Sequence, residues 1–133
     1  MFSQLEANKE IVRRYIAAFN GGDSAALREL FAPGAQIQGV LGFVDVEKAY
    51  GIWDELHAAY AIELTADSMI AEGDAVAVRY TELGTFRSAF RGQQPTGKSY
   101  ELVAMEWFVI ENGKISRRWA ARDSASMSRQ LAS

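Results

Sequence analysis

The sequence predicts an α+β fold with a mainly antiparallel sheet, and two observations carry that prediction. Apolar residues recur at helical spacing up to Tyr60, whereas from Ile62 onward they alternate with polar residues. In the last third, two apolar runs are separated by Asn112-Gly113, a dipeptide typical of hairpin turns, because both central residues of a type I′ turn need φ > 0. Helices first and sequential strands afterwards are typical of this fold class.

Three helices are predicted in the N-terminal half. The first lies within residues 5–19. Asp23 is the expected N-cap of a second, short helix that Pro33-Gly34 ends, and Asp45 is the expected N-cap of the third. Residues 35–40 are predicted to form a short strand between them.

The final hairpin carries the candidate site. With Asn112-Gly113 as the turn, Ile110 faces Ile115, and strict alternation then places every second side chain on one face. That face is mostly apolar yet carries two carboxylates, which is typical of a ligand pocket. Its predicted members are Leu102, Ala104, Glu106, Phe108, Ile110, Ile115, Arg117, Trp119, Ala121 and Asp123.

Several segments stand in an order found in a known family. Residues 11–23 resemble the first helix and turn of the nuclear transport factor 2-like superfamily. Within that superfamily, residues 71–80, 95–98, 113–115 and 119–123 resemble the SnoaL-like polyketide cyclase family. The resemblance runs over nearly the whole chain.

The resemblance implies a curved, mainly antiparallel sheet wrapped around the N-terminal helices, with a conical apolar cavity between them and residues 1–133 as one domain. It implies a small apolar carbonyl compound as ligand, and acid/base catalysis of the polyketide cyclase or isomerase type. That chemistry needs no metal or organic cofactor, so none is expected. Because one fold hosts many activities, a non-catalytic domain that binds a small hydrophobic ligand is the alternative.

The resemblance assigns catalytic roles to three residues. Asp123 falls where SnoaL-like cyclases place the acid/base carboxylate. Tyr15 falls where ketosteroid isomerases place a hydrogen-bond-donating tyrosine, and Glu106 falls close to their protonated acid. Two positions depart from the pattern. The base of ketosteroid isomerases would fall near Gly39, which has no side chain, and Phe86 stands where SnoaL-like sequences often carry histidine after Gly-Thr.

Each carboxylate also has a structural interpretation. Asp123 could be a general base whose pKa is raised by burial, or a strand-end residue that caps residues 124–131 or pairs with Arg122 or Arg117. Glu106 could be a neutral acid that donates a hydrogen bond to an enolate, or the partner of Arg117 in an ion pair.

Five side chains are candidates for ligand contact. Trp119 shares the predicted inner face with the two acids, and Phe86 stands at the departure described above. Trp53 and Phe19 lie on the helix faces that pack on the sheet, so they are either core or cavity wall. His57 lies next to the apolar stripe of the third helix, and the helix edge is its expected place.

Composition excludes several classes of function. The sequence has no cysteine and a single histidine, so thiolate chemistry is absent and a zinc site is not expected. There is no glycine-rich nucleotide motif. The net charge of −3, without a basic patch, argues against nucleic acid and membrane partners. No apolar run approaches the ~20 residues of a membrane span, and no signal peptide is recognised, so we expect a cytoplasmic protein.

The opposite face of the hairpin is also apolar. Met105, Trp107, Val109 and Ala120 are predicted there. Since the helices already cover the other face, the simplest cover for this one is a second subunit, and a homodimer is predicted.

Overall fold

The predicted helices and strands follow one another in the predicted order, and a short strand at residues 42–45 and a helix at residues 124–131 are additional. The computed structural model describes residues 3–39 and 42–132. The helices are α1 (Gln4–Asn20), α2 (Ser24–Leu30), α3 (Val46–Tyr60) and α4 (Ser124–Leu131). The strands are β1 (Phe31–Gly39), β2 (Gly42–Asp45), β3 (Glu63–Glu72), β4 (Ala75–Thr85), β5 (Ser99–Glu111) and β6 (Lys114–Arg122). The α+β prediction is confirmed.

The six strands form one curved, unclosed sheet in the order β2-β1-β6-β5-β4-β3. Neighbouring strands are antiparallel except β1 and β6, which are parallel. Helices α1 and α3 contact one face, and the core lies between them and the sheet. Among the described residues, no helix combines the length and the apolar character needed to cross a membrane.

The helix starts follow the predicted capping chemistry. The Asp23 carboxylate accepts a hydrogen bond from the Ala26 amide at 3.0 Å, and Asp45 accepts one from the Glu47 amide at 3.0 Å. The predicted end of α2 at Pro33-Gly34 is wrong, because Phe31 already opens β1. The strand predicted at residues 35–40 therefore begins earlier, and Val40 lies outside the described residues.

The hairpin turn is confirmed. Asn112 and Gly113 have φ of 51° and 75°, the left-handed values of a type I′ turn. Ile110 faces Ile115 across it, as predicted.

Beyond the turn, one extra residue in β6 changes the register. Ile110 pairs with Ile115, but Val109 pairs with Arg117, so Ser116 is the extra residue of a β-bulge. Its hydroxyl is 2.7 Å from an oxygen of the Glu111 carboxylate and 3.3 Å from the Val109 carbonyl oxygen. The bulge reverses every later side chain of β6, because successive residues of a strand point to opposite faces.

The predicted face is therefore wrong for the second half of the hairpin. All its β5 members and Ile115 are buried as predicted. The residues of β6 that face the helices are Arg118, Ala120 and Arg122, whereas Arg117, Trp119 and Ala121 lie on the outer face.

The left-handed turn makes a stability prediction. Gly113→Ala should lower the free energy of unfolding by about 1–2 kcal/mol, because Cβ clashes with the backbone in this conformation. Gly51→Ala is the matched control. Gly51 is an exposed residue of α3 with open space around its missing Cβ, so this change should stabilise by up to about 1 kcal/mol. Urea unfolding measures both. Equal effects would contradict the role of the turn.

Candidate functional site

An apolar cavity lies between α1, α3 and the inner face of the sheet. Its volume is about 140 Å³, close to the roughly 150 Å³ that encloses a benzene ring in an apolar core. The enclosed part therefore suits a single six-membered ring. Its apolar walls include Phe19, Ile52, Trp53, Leu56, Ile62 and Leu64.

A buried carboxylate stands in the wall of this cavity. Glu106, on β5, is 7% exposed. Its Oε2 accepts a hydrogen bond from the Tyr15 hydroxyl at 3.0 Å and pairs with Nη1 of Arg118 at 3.0 Å. The partner is thus Arg118 and not Arg117, because the Ser116 bulge turns Arg118 inward. An arginine–carboxylate contact stabilises a charged acceptor, so the geometry supports the ion-pair interpretation of Glu106, with Arg118 in place of Arg117.

Three polar atoms of the cavity wall have no hydrogen-bond partner. Among the described residues, they are Oε1 of Glu106, the hydroxyl of Tyr80 and Nε of Arg118, and all three are buried. Buried polar groups are almost always paired, so three unpaired ones in a single wall indicate where a ligand would make polar contacts. The other unpaired buried atoms belong to Asn8 and His57, which do not line the cavity.

The two tyrosines of this wall hold their protons firmly. Burial raises the pKa of Tyr15 well above its usual value, and the negative charge of Glu106 raises it further while Arg118 opposes this. Burial and then the Glu106 charge likewise raise the pKa of Tyr80. The Glu106 carboxylate lies close enough to the Tyr80 hydroxyl to raise its pKa as a hydrogen-bond partner would, although the two groups do not meet the geometry of a hydrogen bond. Both phenols remain donors, but Tyr15 already donates its proton to Glu106.

A second buried carboxylate lies further along the wall, with all its contacts made. Glu82 is 2% exposed, and its Oε1 accepts from Nε of Arg122 at 2.9 Å. Its Oε2 accepts from the Tyr100 hydroxyl at 2.6 Å and from Nη2 of Arg122. Burial lowers the pKa of Arg122, but the hydrogen bonds and charge of Glu82 outweigh it and leave the pKa raised. Burial and then Glu82 raise the pKa of Tyr100.

The sequence interpretation missed Glu82, although a signal was present. Val76, Val78 and Tyr80 alternate on the inner face of β4, and Glu82 is the next residue in that series. It pairs with Leu102, four positions from Glu106, which is roughly 13 Å along the sheet.

Four of the predicted site residues meet in the cavity. Glu106 and Tyr15 contact one another, and Trp53 and Phe19 line the apolar wall beside them. The Trp53 ring also lies 5.4 Å from the Arg118 guanidinium, which is within range for a cation–π contact.

Asp123 lies outside the cavity. It is exposed and is the N-cap of α4, where its carboxylate accepts from the Ser126 amide at 3.0 Å. The predicted place of Asp123 on the cavity wall is wrong because of the bulge, and its alternative interpretation as a cap is confirmed. Arg122 pairs with Glu82 instead.

Three predicted ligand contacts also lie elsewhere. Trp119 is on the outer face, with its ring 6.4 Å from that of Phe43, again because of the bulge. The His57 ring packs on the turn at Gly22, where an added Cβ would approach Nε2 to 2.7 Å, so the helix-edge interpretation fits. Phe86 is buried outside the cavity, 5.0 Å from the Tyr60 ring, because it follows the end of β4.

Metal-binding chemistry finds no support in the described part of the chain. Residues 3–39 and 42–132 contain no group of three or more histidine, cysteine, aspartate or glutamate side chains that could hold a metal ion.

Comparison with known families identifies the family of the chain. The family model described as SnoaL-like polyketide cyclase matches residues 9–131. The chain belongs to the SnoaL-like polyketide cyclase family. The resemblance seen in the sequence is therefore confirmed. No match was found among curated protein sequences.

Solved structures of this family share the fold. IdmH from Streptomyces antibioticus, a candidate polyketide cyclase, is 28% identical with a TM-score of 0.83, over 95% of this chain and 99% of that chain. AclR from Streptomyces galilaeus, a candidate hydroxylase, is 22% identical with a TM-score of 0.87, over 96% and 97% of the two chains. A candidate polyketide cyclase from Xanthomonas campestris is 20% identical with a TM-score of 0.91, over 98% and 100%. The last two show the fold alone.

The buried ion pair makes a second prediction. Arg118→Met should destabilise this SnoaL-like chain by about 3–5 kcal/mol, because it leaves the Glu106 carboxylate buried without a cation. The double variant Glu106→Leu/Arg118→Met should recover most of that loss, because it removes both charges. Arg117→Met is the control and should cost less than about 1 kcal/mol, because Arg117 is exposed.

Urea unfolding of the wild type, Glu106→Leu, Arg118→Met and the double variant measures the coupling between the two residues. Additive effects of Glu106→Leu and Arg118→Met would contradict the ion pair.

Proposed function

We propose that the cavity binds a small apolar carbonyl compound and that Glu106 removes a proton from the carbon next to the carbonyl group. The reaction would be a cofactor-independent cyclisation or isomerisation. One observation carries this proposal: Oε1 of Glu106 is an unpaired acceptor, buried in an apolar cavity of a chain that belongs to a polyketide cyclase family.

The contacts of Glu106 suit the role of a base. Tyr15 and Arg118 both bind Oε2, which fixes the carboxylate and leaves Oε1 to accept the proton. The C–H bond breaks, the new O–H bond forms on Oε1, and the electron pair moves to the carbonyl oxygen as an enolate. The enolate carbon then attacks a second carbonyl group in a cyclisation, or takes the proton back at another carbon in an isomerisation.

This proposal moves the catalytic role away from Asp123. The resemblance pointed to Asp123 as the acid/base residue, but that carboxylate is exposed and already accepts a hydrogen bond from the Ser126 amide of α4. A general base must lie within hydrogen-bond reach of the proton that it removes, and Glu106 lines the cavity whereas Asp123 does not.

A non-catalytic binding domain is the alternative. Gly39, near the position of the isomerase base, lines the cavity without a side chain, and an added Cβ there would meet nothing within 4 Å. Both candidate functions use the same ligand and the same cavity. Only the catalytic one predicts that the protein accelerates proton exchange.

Hydrogen–deuterium exchange tests the proposal without knowledge of the natural substrate. In D2O, the protein should accelerate exchange of the protons next to the carbonyl of cyclohexanone, a single-ring ketone of suitable size, as followed by NMR. Glu106→Gln should reduce the acceleration by about two or more orders of magnitude. Asp123→Asn is the matched control and should retain it, because Asp123 lies outside the cavity.

Two results would contradict the catalytic proposal. Binding of cyclohexanone without any accelerated exchange would favour the binding domain. Loss of exchange in Asp123→Asn, with Glu106→Gln unaffected, would return the role to Asp123.

We also propose a homodimer formed through the outer face of the sheet. Trp107 and Met105 are 50% and 54% exposed there, and Ile70 is 66% exposed. Trp119 pairs with Trp107 on the same face, so the large apolar side chains are contiguous. Monomeric proteins rarely expose such a patch, and a second copy of the chain presents a surface of matching character.

Sedimentation tests the dimer. Trp107→Glu should convert a dimer to a monomer at micromolar concentration, because the change would bury a charge in the apolar interface. Leu5→Glu is the control. Leu5 is a similarly exposed apolar residue on α1, away from the sheet face, and its replacement should leave the dimer intact. A wild-type monomer at that concentration would refute the proposal.

A further inference from the structure

The two tyrosines of the cavity wall differ in whether the hydroxyl proton is already donated. A phenol has one O–H to donate. Tyr15 gives its proton to Oε2 of Glu106, whereas the hydroxyl of Tyr80 is buried and has no partner among the described residues. The donor available to a ligand is therefore Tyr80.

We infer that Tyr80 binds the carbonyl oxygen of the ligand and stabilises the enolate that forms there. Tyr15, in contrast, is a positioning residue that orients Glu106. This inference rests on the proposed function. It assigns to Tyr80 the hydrogen-bond-donating role that the resemblance gave to Tyr15.

The two free groups are complementary in the way that the reaction requires. Oε1 of Glu106 is a free acceptor, and the Tyr80 hydroxyl beside it is a free donor. In an enolisable ketone, the proton to be removed and the carbonyl oxygen are attached to neighbouring carbons. In this inference one ligand therefore contacts both groups at once. As the C–H bond breaks toward Oε1, negative charge grows on the oxygen that faces Tyr80.

The environment of Tyr80 keeps it in the donor form. Burial and the Glu106 charge hold its pKa above the usual value. Its side chain is fully buried, so water does not compete for the hydroxyl. It also lies on the strand that neighbours β5, because Tyr80 pairs with Ala104, two positions from Glu106 on the same face.

An unpaired buried hydroxyl is costly to the fold, and this gives a readout that a structural tyrosine would not show. Tyr80→Phe removes a polar atom that has no partner, so its urea unfolding midpoint should equal or exceed that of the wild type. Tyr15→Phe should lower the midpoint, because it removes a hydrogen bond from the buried Glu106 carboxylate.

The direct test follows the carbonyl group of the ligand. The probe is cyclohexanone labelled with ¹³C at the carbonyl carbon, titrated with each protein variant and extrapolated to the bound state. A hydrogen bond polarises the carbonyl and moves its resonance downfield. The wild type should show this shift, Tyr80→Phe should lose most of it, and Tyr15→Phe should retain it.

Tyr100→Phe is the matched control. Tyr100 is also a buried phenol, but its proton is given to Glu82 and it does not line the cavity. Its replacement should leave the carbonyl shift of bound cyclohexanone unchanged.

The outcomes separate this inference from the proposed function. A carbonyl shift that persists in Tyr80→Phe would overturn the inference, even if that variant exchanges protons more slowly, since Tyr80 would then act only through Glu106. Absence of a downfield shift in the wild type would overturn it as well. A shift that depends on Tyr80 without accelerated proton exchange would support the inference and contradict the catalytic role of Glu106.

Discussion

The Ser116 bulge is the constraint on which the site depends. It turns Arg118 and Arg122 toward the cavity, where each meets a buried carboxylate. In a regular ladder Arg117 would take the inward position of Arg118 beside Glu106, but Ala121 would take that of Arg122, and Glu82 would be buried without a cation. A buried charge without a partner costs far more than a surface charge, so the bulge and the Glu82–Arg122 ion pair depend on one another.

The free energies involved explain why the bulged register is more stable than the regular one. The regular ladder would bury Trp119, and burial of one large apolar side chain gains about 1.5–3 kcal/mol. It would also break the buried Glu82–Arg122 ion pair, at about 3–5 kcal/mol. The spacing fits this account. Arg118 pairs with Phe108 and Arg122 with Ala104, so each arginine lies two positions along the sheet from the level of its carboxylate. The two charged pairs thus repeat at one spacing.

The sequence was sufficient where structure is local. Helix caps at Asp23, Asp45 and Asp123 and the turn at Asn112-Gly113 follow from side-chain chemistry within a few residues, and all four are present. The site was only half predictable. Glu106, Tyr15, Trp53 and Phe19 were found from alternation, helical spacing and the family resemblance. The inward turn of Arg118 and Arg122 was missed because hydropathy alone favours the face with Trp119. The deciding energy comes from the buried Glu82 carboxylate on β4, and alternation within β6 carries no information about it.

The contrast between the two acids is the best indication of where function lies. Glu82 has every hydrogen bond it needs and joins β4, β5 and β6, so its contacts are complete in the free protein. Glu106 and Tyr80 share the same sheet face and the same apolar cavity, yet each keeps one unpaired polar atom. A purely structural wall would favour apolar residues at these two positions, since unpaired buried groups destabilise the fold. The fold is common to proteins with different assigned activities, a candidate cyclase and a candidate hydroxylase among them. The chemistry of this chain must therefore be read from its own unpaired groups, and the proposed function rests on two of them, Oε1 of Glu106 and the Tyr80 hydroxyl.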